Sequence, residues 1–309
     1  VNITLRQLDY FVTVADAGSI TAAAQRLYLS ASAVSTTVTE LENMLGVRLF
    51  TRHARGLSLT GEGRIVLGRA RALLREAEDL EVNATSLGTD MSGTLTVGCY
   101  STIAPLLLPR IIAEFSDQYP ELTIRFTEGS RSELLEGFAQ GRFDLLVVYD
   151  YPFKDDLPDR GTLLPLGAFP PYVLLPGTHE LAGTGPVALT DLASDPLILF
   201  DLEPADQYFL SLFRDEGVEP RVRYRTGDFE VIRGLVSRGL GYSLLTQRTL
   251  HSVSYEGISY TAAELACDHG PLDVVSLVPT ASRITERTKA FVDAARRILG
   301  DPVRYANDE

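Results

Sequence analysis

Tryptophan is absent from this chain, and cysteine and methionine occur only twice each. Two cysteines, Cys99 and Cys267, exclude a disulfide framework. The four histidines, His53, His179, His251 and His269, share no zinc-ligand spacing with them, so no metal site is expected. No apolar run reaches the ~18 residues of a membrane span. The opening residues Val1-Asn2-Ile3-Thr4 run into a helical pattern without a basic-then-apolar leader. That predicts a cytoplasmic protein with no membrane partner. The motifs G-x-S-x-G, G-x-G-x-x-G and G-K-[ST] are missing too, so neither an enzyme nor a bound cofactor is expected.

What the chain does contain is 309 residues, 45% of them apolar and 22% charged. That is enough for two or three packed domains and excludes a mainly disordered chain. The net charge of -13 argues against a broad grip on nucleic acid, but its distribution is uneven. Residues 1–60 carry five arginines against four acids, whereas residues 91–309 carry 19 basic and 31 acidic groups. The acidity lies in the C-terminal two thirds, and a DNA contact made by the N-terminal tip remains electrostatically open.

Thr4-Leu5-Arg6-Gln7 has the form of a capping box. Leu5, Leu8, Phe11, Val12 and Ala15 follow it at helical spacing, and Gly18 stops the helix. Ser19 opens a short second helix whose face is Ile20, Ala23, Ala24 and Leu27. After the turn at Tyr28-Leu29-Ser30, a third helix carries Val34, Val38, Leu41 and Leu45 and ends at Gly46. This is a helix-turn-helix pattern. Ser32, Ser35, Thr36 and Thr39 lie opposite the apolar face, where a helix would meet base edges in a major groove. The same spacing suits an ordinary three-helix core with a solvated hydroxyl face, and spacing by itself does not choose between them. Two short strands, Val47–Phe50 and Leu57–Leu59, then flank a basic tip with Arg52 and Arg55. Such a hairpin is a wing, suited to phosphate or minor-groove contact.

These residues resemble a known family. Leu5-Arg6-Gln7-Leu8-Asp9-Tyr10-Phe11, Gly18-Ser19-Ile20-Thr21-Ala22-Ala23-Ala24, Ser35, Leu41-Glu42 and Leu45-Gly46-Val47-Arg48-Leu49-Phe50-Thr51-Arg52 are similar to the winged helix-turn-helix of LysR-type transcriptional regulators. The resemblance covers nearly the whole chain. It implies a ligand-responsive, sequence-specific regulator that binds double-stranded promoter DNA and a small-molecule effector and works with RNA polymerase. Where the family often has Gln, Pro or Arg in the recognition helix, this chain has Ala31, Ser32, Thr36 and Thr37. Direct readout then relies on short hydroxyls and thymine-methyl contacts.

Thr60 caps a long helix expected from Gly61 to Leu87. Val66, Ala70, Leu73, Ala77, Leu80, Ala84 and Leu87 form three heptads of an apolar seam. An isolated helix cannot satisfy that seam, so self-association is expected, as a homodimer or, by resemblance, a dimer of dimers.

From Gly93 onward strands and helices alternate as βαβαβ, which predicts a mostly parallel sheet. The expected fold is an N-terminal, mainly α winged helix-turn-helix over 1–60, a linker helix and hinge over 61–90, and an α/β effector domain over 91–300. The last would comprise lobe one (about 91–163 and 266–300) and lobe two (about 164–265), with a tail at 301–309. By resemblance this effector domain has the periplasmic-binding-protein fold. Ligands of open α/β sheets bind beyond the carboxyl ends of the strands. That selects Ser101, Thr102, Gly129, Ser130, Phe200, Asp201, Glu203, Asp228, Phe229 and Thr246. Asp150, Asp201, Glu203 and Asp228 give the expected cleft an acidic character, which favours a neutral or amine-bearing effector over a dicarboxylate. A thiol sensor is the remaining alternative, but Cys99 and Cys267 stand 168 positions apart.

Overall fold

The computed structural model of the chain describes residues 3–53, 56–85, 91–154, 156–249, 251–267, 269–280 and 284–300. Thr4 and Gln7 form the reciprocal capping box at the start of helix α1, Leu5–Ala17, which ends at left-handed Gly18. Ser19 accepts from the Ala22 N–H to open α2, Ile20–Leu27. Ser30 does the same from Ala33 for α3, Ala31–Leu45. Val14, Ala23, Ala24, Val34 and Val38 pack into one small core between these helices. The alanines keep the backbones close.

The wing follows as β1, Phe50–His53, and β2, Gly56–Leu59, paired antiparallel. Its first strand begins at Phe50 rather than Val47. The reason is Glu42, buried on α3, whose carboxylate accepts the Leu49 N–H at 2.7 Å and the Phe50 N–H at 3.2 Å. The wing is also tied to the first turn by a Leu57 N–H donated to the Gly18 carbonyl.

Thr60 caps the linker helix α4, Gly61–Thr85, through the Gly63 N–H. One face of α4 puts Leu67 and Ala70 into a second core with Leu8, Phe11, Leu41 and Leu49. The same helix docks on the C-terminal unit. Buried Arg71 donates both to the Asp16 carboxylate on α1 and to the Gln140 carbonyl. Arg75 pairs with Asp144 at 2.9 Å and donates to the Gly141 carbonyl. Between these pairs Gly68 meets Gly141 backbone to backbone; a Cβ on Gly141 would lie 2.7 Å from the Gly68 oxygen.

The C-terminal unit starts with β3 (Gly93–Tyr100), α5 (Ala104–Gln118), β4 (Leu122–Gly129), α6 (Arg131–Ala139), β5 (Leu145–Asp150) and β6 (Thr162–Phe169). Lobe two contains β7 (Tyr172–Pro176), β8 (Pro196–Phe200), α7 (Ala205–Asp215), β9 (Arg221–Thr226), α8 (Phe229–Ser237), β10 (Ser243–Leu245) and β11 (Tyr260–Glu264). The chain then returns as β12 (Leu272–Val278) and α9 (Glu286–Leu299). Lobe one is a five-stranded sheet in the order β4-β3-β5-β12-β6. The first three strands are parallel as expected, and β12 lies antiparallel between β5 and β6.

One expectation is corrected here. Strand β6 pairs with β12 along its whole length, so lobe two begins at Tyr172 and not near Leu164. Beyond the parallel β8-β9 pair, β10 pairs antiparallel with β7, and a parallel Leu197–Tyr242 bridge joins the two sheets. No helix among the described residues is long and apolar enough to cross a membrane.

Candidate nucleic-acid interface and ligand cleft

On α3, the residues Val34, Val38 and Leu41 are buried, while Ser32, Thr36 and Thr39 are exposed and Ser35 is half-buried. The four hydroxyl residues therefore share a solvent face. Not all of these hydroxyls have a free proton. Thr39 donates its proton to the Ser35 carbonyl at 2.9 Å. Ser32 stands 3.1 Å from the Ser30 hydroxyl. Arg52 is exposed on β1, and Arg55 lies outside the described residues. His53 bonds the Ser58 hydroxyl across the hairpin at 2.7 Å. Burial pushes the Glu42 carboxyl up, but the N–H groups of Leu49 and Phe50 and the Arg48 guanidinium outweigh it and hold it below the usual carboxylate range. The recognition helix and wing are thus locked together by an ionised side chain.

The exposed apolar stripe of α4 is rotated from the expected seam. Ala70 is 1% exposed, and Val66 packs half-buried against the same core, because that face covers α1. The outward residues are Ile65, Leu73 and Leu80, with Ala77 half-buried. Side-chain placement at Ala84, and all of Leu87, fall outside what is described.

Between the lobes lies a cavity of ≈ 690 Å³. Lobe one contributes Ser101, Thr102, Pro105, Leu106 and Arg110; lobe two contributes residues around the start of α8 and the segment after β10. Of the ten expected contacts, Ser101, Thr102, Asp228 and Phe229 line it. The others are placed elsewhere for identifiable reasons. Ser130 is consumed in a capping box with Glu133, and the Gly129 carbonyl accepts from Ser101. Phe200 is 1% exposed, its ring tilted against that of Phe229 at 4.5 Å between centroids. Asp201 turns to Arg225 at 3.1 Å, and Glu203 to Lys154 at 3.8 Å. Buried Thr246 lies behind the lining, 3.4 Å from the Tyr149 hydroxyl.

The expected acidic character is overturned by this arrangement. Asp228 is the one member of the acidic set at the cavity, and its carboxylate caps α8 by accepting from Glu230 and Val231. Sequence reasoning missed Arg110, Arg233, Gln247, Arg248 and His251, which also line it. Arg233 pairs with Glu230, and Arg248 with Glu264 at 2.5 Å while stacking over Tyr172. A residue in mid-helix, well past its strand end, carries no motif that would single it out, and Arg110 on α5 is such a residue.

Behind the cavity, tyrosines form a continuous seam. Tyr100 meets Tyr149 at 5.5 Å between ring centroids, Tyr149 meets Tyr151 at 5.9 Å, and Tyr151 meets Tyr208 of lobe two at 5.9 Å. Gln247 donates to the Tyr149 hydroxyl at 3.2 Å. Burial raises every one of these phenols above its ordinary pKa, so they act as neutral hydroxyls.

Residues 5–64 match the family described as "Bacterial regulatory helix-turn-helix protein, lysR family", and residues 88–300 match "LysR substrate binding domain". The chain belongs to the LysR family of transcriptional regulators. This LysR-family chain is 31% identical over 308 residues to the "Uncharacterized HTH-type transcriptional regulator YeiE" of Escherichia coli K12, covering 96% of each. It is 35% identical to HinK, a LysR family regulator from Pseudomonas aeruginosa. The alignment covers 97% of this chain and 99% of HinK at a TM-score of 0.63. A full-length OxyR variant from Pseudomonas aeruginosa shares the fold at a TM-score of 0.71 and 24% identity, over 96% of this chain and 98% of that one.

Proposed function

We propose that this LysR-family regulator senses a small polar metabolite in the cleft between its lobes and couples its binding to promoter recognition. The observation that carries the reading is the ≈ 690 Å³ cavity lined by polar groups from both lobes. A ligand touching both lobes discriminates between lobe arrangements, and only such differential affinity shifts a conformational equilibrium. In this reading residues 1–60 read DNA, 61–90 dimerise and 91–300 sense. Ser32, Ser35, Thr36 and Thr39 face base edges, and Arg52 and Arg55 contact phosphates. Leu73 and Leu80 pair with a second copy, giving a homodimer or a dimer of dimers. The protein acts in the cytoplasm beside RNA polymerase as a regulator without catalytic turnover.

The test begins with selection of DNA from a random pool by the full-length protein. A thermal-shift screen of small metabolites on the same sample follows. A ligand at 100 times its dissociation constant stabilises by about 2.7 kcal/mol. Enrichment of a two-half-site sequence, and a hit that changes its affinity, is the expected result. A pool without sequence enrichment would sink the reading.

A further inference from the structure

Much of the polar lining of the interlobe cavity already has partners within the protein. The Ser101 hydroxyl donates to the Gly129 carbonyl at 2.9 Å, and the Gln247 amide donates to the Tyr149 hydroxyl at 3.2 Å. The Asp228 carboxylate accepts from two N–H groups of α8, Glu230 pairs with Arg233, and Arg248 pairs with Glu264. A ligand hydrogen bond at such a group shares or displaces an existing one, so its net gain is small. The apolar lining is in a different state. Lobe one brings Pro105 and Leu106 to the cavity, and lobe two brings Val253 and Tyr255. Pro105 is exposed and Leu106 half-buried, while Val253 is 43% and Tyr255 89% exposed. Covering these side chains removes apolar surface from water without breaking a bond.

Tyr255 is held at the cavity by the backbone around it. The chain doubles back so that Val253 meets Ser259 in an antiparallel bridge. The Ser254 N–H donates to the Ile258 carbonyl and the Tyr260 N–H to the Ser252 carbonyl, each at 3.0 Å. Gly257 makes the turn at a φ of 74°. Beside Tyr255, Glu256 accepts two bonds from Arg238, at 2.9 and 3.0 Å, just past the end of α8. The start of the same helix lines the cavity through Asp228 and Phe229. An anchored turn spares the ring the ordering cost that a loose loop incurs on meeting a ligand. The volume of ≈ 690 Å³ lies in the range that encloses drug-sized molecules, so there is space beside these residues for more than a polar head group.

We propose that the effector is an amphipathic molecule, a polar end joined to an apolar chain or ring, and that Val253 and Tyr255 select it by covering the apolar portion together with Pro105 and Leu106 of the other lobe. This rests on the reading of the cleft as the sensing site and names the class of molecule it takes. The apolar contacts come from both lobes, so the same portion of the molecule that supplies affinity also discriminates between lobe arrangements.

The probes are acetamide, butanamide and hexanamide, which share one neutral head group and differ only in chain length. Their dissociation constants are measured on the full-length protein by ligand-observed NMR. Full burial of one methylene tightens binding about fourfold, so each step along the series is expected to tighten it by about tenfold. Tyr255→Ser is expected to leave the melting temperature and the acetamide constant unchanged, because the ring is 89% exposed. It should weaken hexanamide by about threefold or more, as should Val253→Ser. No measurable binding of hexanamide, or equal affinity for the three amides, overturns the proposal. So does full retention of the hexanamide preference in Tyr255→Ser, or a change of oligomeric state in that variant, which would make the ring a contact between copies of the chain. If Val253→Ser does not fold, the wild-type series and Tyr255→Ser decide. A protein that enriches specific DNA yet shows no dependence on chain length refutes the ligand class alone, whereas absence of sequence-specific DNA binding refutes the functional reading.

Discussion

Glu42 holds the wing to the recognition helix, and its removal should be felt at two named amides. The carboxylate accepts from the buried Leu49 N–H at 2.7 Å and the Phe50 N–H at 3.2 Å, and it pairs with Arg48 at 2.8 Å. Arg48 is 75% exposed on its side chain, so the ion pair itself contributes little. The weight falls on the amides. A hydrogen bond to a charged acceptor contributes about 1.5–3 kcal/mol and a neutral one about 0.5–1.5. Glu42→Gln keeps one carbonyl oxygen in place and should cost about 1–2 kcal/mol of local stability. Glu42→Ala strips both amides and leaves the Leu49 N–H buried and unpaired, at about 3–5 kcal/mol. Hydrogen exchange of peptides covering residues 47–53 in the full-length protein reads this directly. The order should be wild type slowest, then Gln, then Ala. Acid should mimic the substitution. The folded carboxyl sits below its ordinary value of 4.5. Its stabilisation is therefore complete above that value and is lost as the pH falls through the lower, folded one. Equal exchange in Glu42→Gln and Glu42→Ala would refute the argument, because it would leave the acceptor oxygen with no role.

Three further outcomes follow from other features. Leu73→Glu with Leu80→Glu places carboxylates on the exposed stripe of α4 and should shift the protein toward monomer in sedimentation, whereas Ala70→Glu, aimed into the interior, should impair folding instead. Arg52→Ala should weaken binding across sequences and lower the log-log salt slope by about 0.9, the mark of one lost phosphate contact; an unchanged slope removes Arg52 from the interface. A thiol reagent under native conditions should label Cys267, which is exposed, and spare Cys99, which is buried in β3 with its thiol pushed far up by desolvation; labelling of two thiols would contradict that burial.

Local signals in the sequence carried the N-terminal third well because each is decided within a few residues. The Thr4–Gln7 capping box, the Ser19 and Ser30 caps and the left-handed glycines at 18 and 46 stand where periodicity and capping place them. The seam of α4 was less legible. Heptad spacing finds an apolar stripe but not its partner, and α1 claimed the face that bears Ala70. In the cleft, strand ends gave Ser101, Thr102, Asp228 and Phe229. They misled at Asp201 and Glu203, whose charges are taken by Arg225 and Lys154. Those ion pairs depend on tertiary placement 24 and 49 positions away in the chain, which no local pattern records. The tyrosine seam was invisible for the same reason: Tyr208 belongs to α7, and its neighbour Tyr151 follows β5 in the other lobe.

The junction of Gly68 with Gly141 has a mechanical meaning for the whole chain. Helix α6 has buried Arg131, paired with Asp156, at one end, and the Gln140 and Gly141 carbonyls that accept from the linker helix just past the other. Nine residues of helix span about 14 Å, so a rod that short transmits a push without bending. Rigid-body motion of α6 cannot reach one end without the other. Where the rod bears on the linker helix, the two bearing surfaces are bare backbone, and Gly141 holds a φ of 66° that a side chain would strain. The fit therefore tolerates error in one direction only: every replacement at these two positions adds bulk, and none can bring the surfaces closer.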